Sequence, residues 1–308
     1  MSITPAYSSV SISDKSVIIV DDEGDGDYTS IKEALNNSNP GDTIEVYSGT
    51  YDEHTIVIET DNIALEGISY ELGNGSDTGK PFIYGPGTDQ YSLIAIKADG
   101  VTINGFRIEN NNGGNVCITL YHNASKCIIS NNDIAHTSSA LIWVFGSDNK
   151  ILNNNISHSV IRQGIVLRDP CSNCIVSGNV ISDAVTGILL WDSNNHIISG
   201  NKIMRCSRFG IDVAGSNNKI IGNHLENNSI GIQIYEFFIS VKRNNFINNE
   251  VHAQFIYGIP LFQRFTNIWF GNYWDKPRLF PYPIRGGLFI FIPTIQFDWF
   301  PAKEPYDI

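Results

Sequence analysis

Four charged side chains near the middle of the chain, Arg168, Asp169, Asp192 and Asp212, follow one another at similar intervals: 23 residues separate the second from the third and 20 the third from the fourth. Carboxylates that meet on one surface can divide acid and base work across a glycosidic bond. An arginine beside them can bond hydroxyls or carboxylates. Aromatic residues fall at related positions, Tyr121, Phe145, Trp191, Tyr235 and Tyr257, with Gln233 and Glu236 close by. Rings of this kind stack on the apolar faces of sugars. For these residues to act together, the chain must return to the same place every 20 to 25 residues.

It carries the means to do so. From residue 125 onward it repeats a phrase of the form N-x-I-x-G-N-x-I: NKILNNNI, NCIVSGNVI, NHIISGNKI, NNKIIGNHL, then SVKRNNFI and NIWFGNYW. With the second asparagine as marker, the series reads Asn132, Asn154, Asn179, Asn201, Asn223, Asn245 and Asn272. A second phrase, G-I-x-L, lies between the markers as GIVL, GILL, GIDV and GIQI. Runs of four residues with alternating apolar positions, separated by Asn, Ser and Gly, are too short for helices and fit strands.

A unit of about 22 residues cannot bury its apolar side alone, so neighbouring units must stack. The arrangement this predicts is a solenoid, one unit per coil, with equivalent strands pairing in parallel ~4.8 Å apart. That length suits a three-sheet parallel β-helix. The marker asparagines then form an internal ladder, each amide bonding its counterpart one coil along. Such a ladder accounts for much of the asparagine content, 33 residues of 308. Two outward stripes follow from the G-I-x-L alignment: Tyr121, Phe145, Arg168, Trp191, Ala214, Tyr235 and Tyr257 on one line, and Thr119, Trp143, Val166, Leu189, Asp212, Gln233 and Phe255 beside it.

Composition limits the partners. The net charge is −12, with no Lys/Arg cluster, which argues against nucleic acid. No apolar run approaches the ~20 residues of a transmembrane helix, and the first ten residues lack the pattern of a signal peptide. The count of five cysteines is odd, and Cys171 and Cys174 form a C-x-x-C without a second pair, which reads as a turn or a local disulfide more readily than as a zinc site. The seven histidines are scattered, so no metal ligand is assigned. Asp21, Asp22, Glu23, Asp25 and Asp27 make an acidic loop that could hold Ca²⁺ but lacks the EF-hand register and reads as a solvated connector.

The N-terminal part completes the solenoid. A strand at Val17 to Val20 leads into the acidic loop and a short amphipathic helix at about 29–37 with Ile31, Ala34 and Leu35 on one face. Such a helix covers the open end of the coils. The stretch VIIVDDEGDGDYTSIKEALNNSNPGDTIEVYSGTYDEHTIVI resembles the start of the pectate-lyase-like right-handed parallel β-helix superfamily, and the N-x-I-x-G-N-x-I coils resemble its NosD-type carbohydrate-binding and sugar-hydrolase branch. The resemblance implies an all-β, single-stranded right-handed β-helix of about ten coils over 16–275. A tail at 1–15 precedes it, a loop insertion at about 70–91 interrupts it, and a Pro/aromatic-rich cap at 276–308 follows. The prolines of that cap should prevent regular ladder formation.

For function the resemblance implies a choice. Lyases of this superfamily gather acids around Ca²⁺ with Arg or Lys as base, and Arg168, Asp169, Asp192 and Asp212 are this chain's counterparts. The N-T-D, D-D and G-H-G patterns of polygalacturonase-type hydrolases and the D-P-H of alginate epimerases are missing. The leading expectation is therefore a surface or exported protein, extracellular or periplasmic, that binds a polysaccharide through its aromatic stripe. A lyase or hydrolase of acidic polysaccharide is the alternative. A structural surface protein with a protein partner at the stripe or the C-terminal segment is the third reading. No cofactor is required, with Ca²⁺ the one candidate.

Overall fold

The computed structural model describes residues 15–85, 92–110, 116–137, 139–257, 267–288 and 292–308. The N-terminal tail as far as residue 14, the end of the insertion at 86–91, and Phe289, Ile290 and Phe291 lie outside them.

The chain winds as a parallel β-helix of about ten coils with three faces. Strands are mostly three to five residues long, and the central apolar residue of each points inward onto its equivalent in the next coil. On the first face Ile44, Leu65, Ile103, Ile129, Ile151, Val176, Ile198, Ile220, Val241 and Trp269 form one continuous stack. On the second, Ile108, Ile134, Ile156, Ile181, Ile203, Leu225, Phe246 and Trp274 do the same. The third carries the G-I-x-L phrase, whose Ile and Leu positions both point inward, as in Ile188 and Leu190 over Ile211 and Val213. This stacking removes from water the apolar side that no coil could bury alone.

Glycine recurs at two corners. The residue before the marker asparagine has a left-handed backbone, φ 68° at Gly178, 62° at Gly200 and 63° at Gly222. At the bend from the second face to the third, a side chain on Gly187 or Gly210 would place its Cβ 2.6 Å from the carbonyl oxygen of the equivalent glycine in the next coil. In these coils the phrase therefore begins with a residue that leaves room for the carbonyl of the next coil.

The asparagine ladder runs as expected with one correction. Asn201 is typical: its Oδ1 accepts from the backbone N–H and the amide of Asn179, while its own amide donates to Val176 O and Asn223 Oδ1, all at 2.9–3.0 Å. The rung after Asn223 is Asn244, not Asn245. The coil that pairs Lys219 with Ser240 is one residue short, and the first of two successive asparagines falls on the ladder. Asn245 instead exchanges two hydrogen bonds with the backbone of Tyr306.

Both ends are closed. The helix Ile31–Asn36, shorter than the expected span, covers the first coil with Ile31, Ala34 and Leu35, and the Glu53 carboxylate accepts from the Ile31 N–H and the Ser30 hydroxyl at its N-terminus. The insertion is also shorter than expected, because Phe82–Tyr84 returns to the second face with Ile83 inward. At the other end the C-terminal segment does form a ladder. Tyr282–Leu288 pairs in parallel with Val251–Tyr257, and Ile292–Asp298 folds back antiparallel on it. Pro283 and Pro293 each stand second in their strands, where a missing N–H costs little. Trp274 lies between Phe246 and Tyr282, with ring centroids 4.4 and 4.1 Å away. Asp298, fully buried, accepts from the backbone and amide of Asn272 and from the Trp274 indole, which ends the ladder on a carboxylate.

Candidate functional site

The third face brings the spaced polar and aromatic residues together. Register pairs Arg168 with Trp191, and Trp191 with Ala214, in consecutive coils. Tyr235 donates its backbone N–H to Val213 O, which places it one coil beyond Ala214 on the same line. Beside them Leu189, Asp212, Gln233 and Gln254 are paired in the same way. Gln254 therefore stands where the sequence suggested Phe255.

Phe255 and Tyr257 are buried instead of outward. The last G-I-x-L unit has become HAQFIY, in which Ala253 pairs with Ile232, and a slip of one residue turns every side chain to the opposite face. The Tyr257 hydroxyl is satisfied inside, accepting from Asn267 Nδ2 at 2.8 Å and from Gln296 Nε2 at 2.7 Å. The open stripe therefore ends at Tyr235.

Within the stripe the guanidinium of Arg168 stands 4.5 Å from the centroid of the Trp191 ring, and Trp191 keeps 45% of its surface exposed. Toward the next coil its strand partner is Ala214, which has only a methyl group, so that side of the ring is unfilled by the strand. Tyr235 bounds the gap one coil further, so the slot lies between two backbone positions that stand two strand spacings apart, about 9.6 Å. At the N-terminal end of the stripe the rings of Trp143 and Phe145 meet edge to face at 5.7 Å, and Phe145 also contacts the His122 ring. Tyr121, in the coil before, is half-buried.

The floor of the slot is acidic. Burial pushes the Asp212 carboxyl up to about 6 against the opposing attraction of Arg208, and one of its oxygens, Oδ1, is buried without a hydrogen-bond partner. Glu236 is raised by burial and then by the charge of Asp192, and the Tyr235 hydroxyl is raised by burial and by Asp212. Gln233, which sequence placed among binding residues, is almost fully buried and accepts from Gln254 Nε2 at 2.6 Å. It serves as a link in the floor.

Asp169 and Asp192 do not join Asp212. Each follows the last residue of its strand and is exposed at the turn, where its backbone N–H bonds the next coil. Among the described residues these carboxylates form no group of three within reach of one ion. In the acidic loop, Asp21, Asp22 and Asp27 accept backbone N–H groups of Asp25, Thr50 and Ile19. The group of three potential ligands that does converge is Cys171, Cys174 and His196, all buried, with their sulfur and nitrogen atoms within 4.8 Å of one another. The C-x-x-C was visible in the sequence; the histidine 22 residues after Cys174 gave no signal until the coils were stacked.

The C-terminal segment caps the coil end and leaves the stripe open at Trp191. Its last residues run beside the first face, where Tyr306 donates its hydroxyl to Gly271 O at 2.7 Å. Among the described residues no helix is long and apolar enough to cross a membrane.

A family model for the right-handed β-helix region matches residues 8–195 and 122–273. No curated protein sequence matches the chain. Among solved structures, pectate lyase Pel9A superposes with a TM-score of 0.54 at 14% identity, covering 86% of this chain and 81% of that one. The Dettilon tailspike protein gp208 gives 0.52 at 15%, covering 75% of this chain and 52% of its own, so the chain spans about half the tailspike's length. The A-module of the Azotobacter vinelandii mannuronan C-5 epimerase AlgE4 gives 0.51 at 12%, over 73% and 75%. At such identities the likeness is one of fold.

Proposed function

The chain belongs to the right-handed β-helix family, and on that premise we propose that it binds a polysaccharide along its third face. The observation that carries this reading is the Trp191 ring, backed by Arg168 on one side and facing the Ala214 gap on the other. A sugar ring entering the slot would stack on Trp191, meet the Tyr235 hydroxyl opposite, and offer its own hydroxyls to Asp212 below. Arg168 and Tyr235 extend the surface along the coil axis, in step with successive sugars of a chain. Such a ligand would be met at a cell surface or outside the cell, and that is where we place the protein. Retention of the full chain on an array of acidic and neutral polysaccharides tests the reading. Retention that Trp191→Ala leaves unchanged would end it.

A second reading rests on Asp212. A carboxyl held at about 6 by burial keeps a useful fraction of its proton near neutral pH and could donate it to a glycosidic oxygen. Its partner base would come from Asp192 or Glu236 at the slot's edge. Release of new reducing ends without absorbance from an unsaturated sugar, abolished by Asp212→Asn, would establish a hydrolase. New absorbance from an unsaturated sugar would instead establish a lyase.

A further inference from the structure

The cluster of Cys171, Cys174 and His196 lies at the corner between the third and first faces, just past Arg168, whose carbonyl accepts the Cys171 N–H. Its neighbours show what the corner is built for. One coil earlier the amide of Asn149 accepts the Cys127 N–H and donates to Ala124 O; two coils later Asn218 accepts the His196 N–H and donates to Ser193 O. His196 occupies this asparagine position. Its Nδ1 accepts the Cys174 N–H at 3.1 Å, as the amide oxygen does elsewhere, and its Nε2 lies 3.8 Å from the Cys171 sulfur.

That orientation separates two chemistries. With Nδ1 fixed as an acceptor, the single proton of the neutral imidazole must sit on Nε2. A metal ion bound by both sulfurs would need the Nε2 lone pair, and the displaced proton could not move to Nδ1, which faces a peptide N–H. The imidazole is therefore set as a donor to sulfur. The two sulfurs also lie within 4.8 Å of each other, so a short approach of the two side chains closes a disulfide. Two adjacent sulfurs with an N–H donor 3.8 Å from one of them make a dithiol placed for oxidation, because the donor favours the thiolate when it forms.

We propose that Cys171 and Cys174 form a redox-active dithiol, oxidised reversibly to a disulfide by a small peroxide, with His196 as its positioning residue. One thiolate sulfur attacks a peroxide oxygen, the O–O bond breaks, and hydroxide leaves with a sulfenic acid formed. The second sulfur then attacks the first, the S–S bond forms as the S–O bond breaks, and the departing hydroxide takes the second thiol's proton as water. The pair gives up two electrons and the peroxide accepts them. A small oxidant is required because the sulfurs are buried, and the exposed residues Asp169, Pro170 and Asn173 flank the turn through which it would enter.

The full-length protein, reduced and then exposed to hydrogen peroxide, would be unfolded, alkylated with N-ethylmaleimide and weighed. The expected result is a fall from five labels to three, confined to the peptide containing Cys171 and Cys174 and reversed by dithiothreitol. Cys127, Cys117 and Cys206 would keep theirs. His196→Asn preserves the corner hydrogen bond and so the fold; it should slow oxidation at pH 7 at least ~10-fold while circular dichroism and melting stay unchanged. Retention of all five labels at peroxide levels that oxidise a free dithiol would overturn the proposal. So would stoichiometric protection of the pair by Zn²⁺ that requires His196, and an oxidation rate unaffected by His196→Asn would remove the imidazole from it.

Discussion

Arg168 and Trp191 stand on adjacent coils with the guanidinium 4.5 Å from the indole centroid, and the pair makes a rigid, half-exposed shelf on the third face. Because the contact runs along the coil axis, it braces the ring without covering the side that faces Ala214. Trp191→Ala should weaken polysaccharide retention about 10-fold or more, in line with the loss of one well-placed stacking ring. Its melting temperature should stay within about 2 °C, since the ring supports no core residue. Arg168→Ala should give a smaller loss by releasing the ring's orientation. Isothermal titration with the retained polysaccharide and a melting curve for each variant check both statements.

The Asp212 carboxyl gives the fold a pH dependence of definite sign. Its folded-state value, about 6, lies above the ordinary 3.8, so between these the folded chain holds a proton that the unfolded chain has released. Stability therefore rises as pH falls from about 6 to 4, and above 6 the buried charge weighs on the fold. Allowing for the side chain's partial exposure, the contribution is roughly 2 kcal/mol. Asp212→Asn should be more stable than the parent at pH 8 by that order and equal to it near pH 4. Urea melts of both proteins across the range measure it; a parent-to-variant difference that does not grow from pH 4 to pH 8 would contradict the assignment.

Adjacent asparagines offer a sharp contrast. Asn244 is a rung of the buried ladder, whereas Asn245 holds the backbone of Tyr306. Asn244→Ala strands buried donors and acceptors in the neighbouring coils and should cost on the order of 3 kcal/mol. Asn245→Ala should leave global stability nearly intact while exposing the last residues to carboxypeptidase. Asn201→Leu, in mid-ladder, should match or exceed the loss at Asn244. Denaturant titration ranks the three.

Asp298 ends the ladder, and its removal should be felt at the cap first. Asp298→Ala leaves Asn272 and the Trp274 indole without their acceptor. The hairpin of Tyr282–Leu288 and Ile292–Asp298 should then open before the coils unfold, with a red shift of tryptophan fluorescence, to which the cap's Trp269, Trp274 and Trp299 contribute, at lower denaturant than the circular dichroism transition. Coincident transitions would show instead that cap and coils melt as one unit.

The sequence by itself determined the solenoid. Period, phrase and turn residues agree because each coil meets the same demand, inward apolar residues on every face and left-handed residues at its corners, and such a demand repeats visibly. Regular asparagines were legible for the same reason, as were Trp191, Arg168 and Asp212 on one face. Where the period broke, the reading slipped by a single residue: Asn245 for Asn244, Tyr257 and Phe255 for outward positions they do not hold. In a strand, one residue exchanges inside for outside, and only the ladder bonds of neighbouring coils decide which side wins. The prolines of the last segment likewise gave no hint of a hairpin, because their tolerance depends on which backbone groups need partners. The meeting of Cys171, Cys174 and His196 belonged to the tertiary structure alone, since their approach is made by stacking one coil on the next and carries no motif along the chain. That Trp191 stands open was also decided there: Tyr282–Leu288 adds the next strand to the third face beside Val251–Tyr257 instead of folding over it, and Tyr306 lies along the first face.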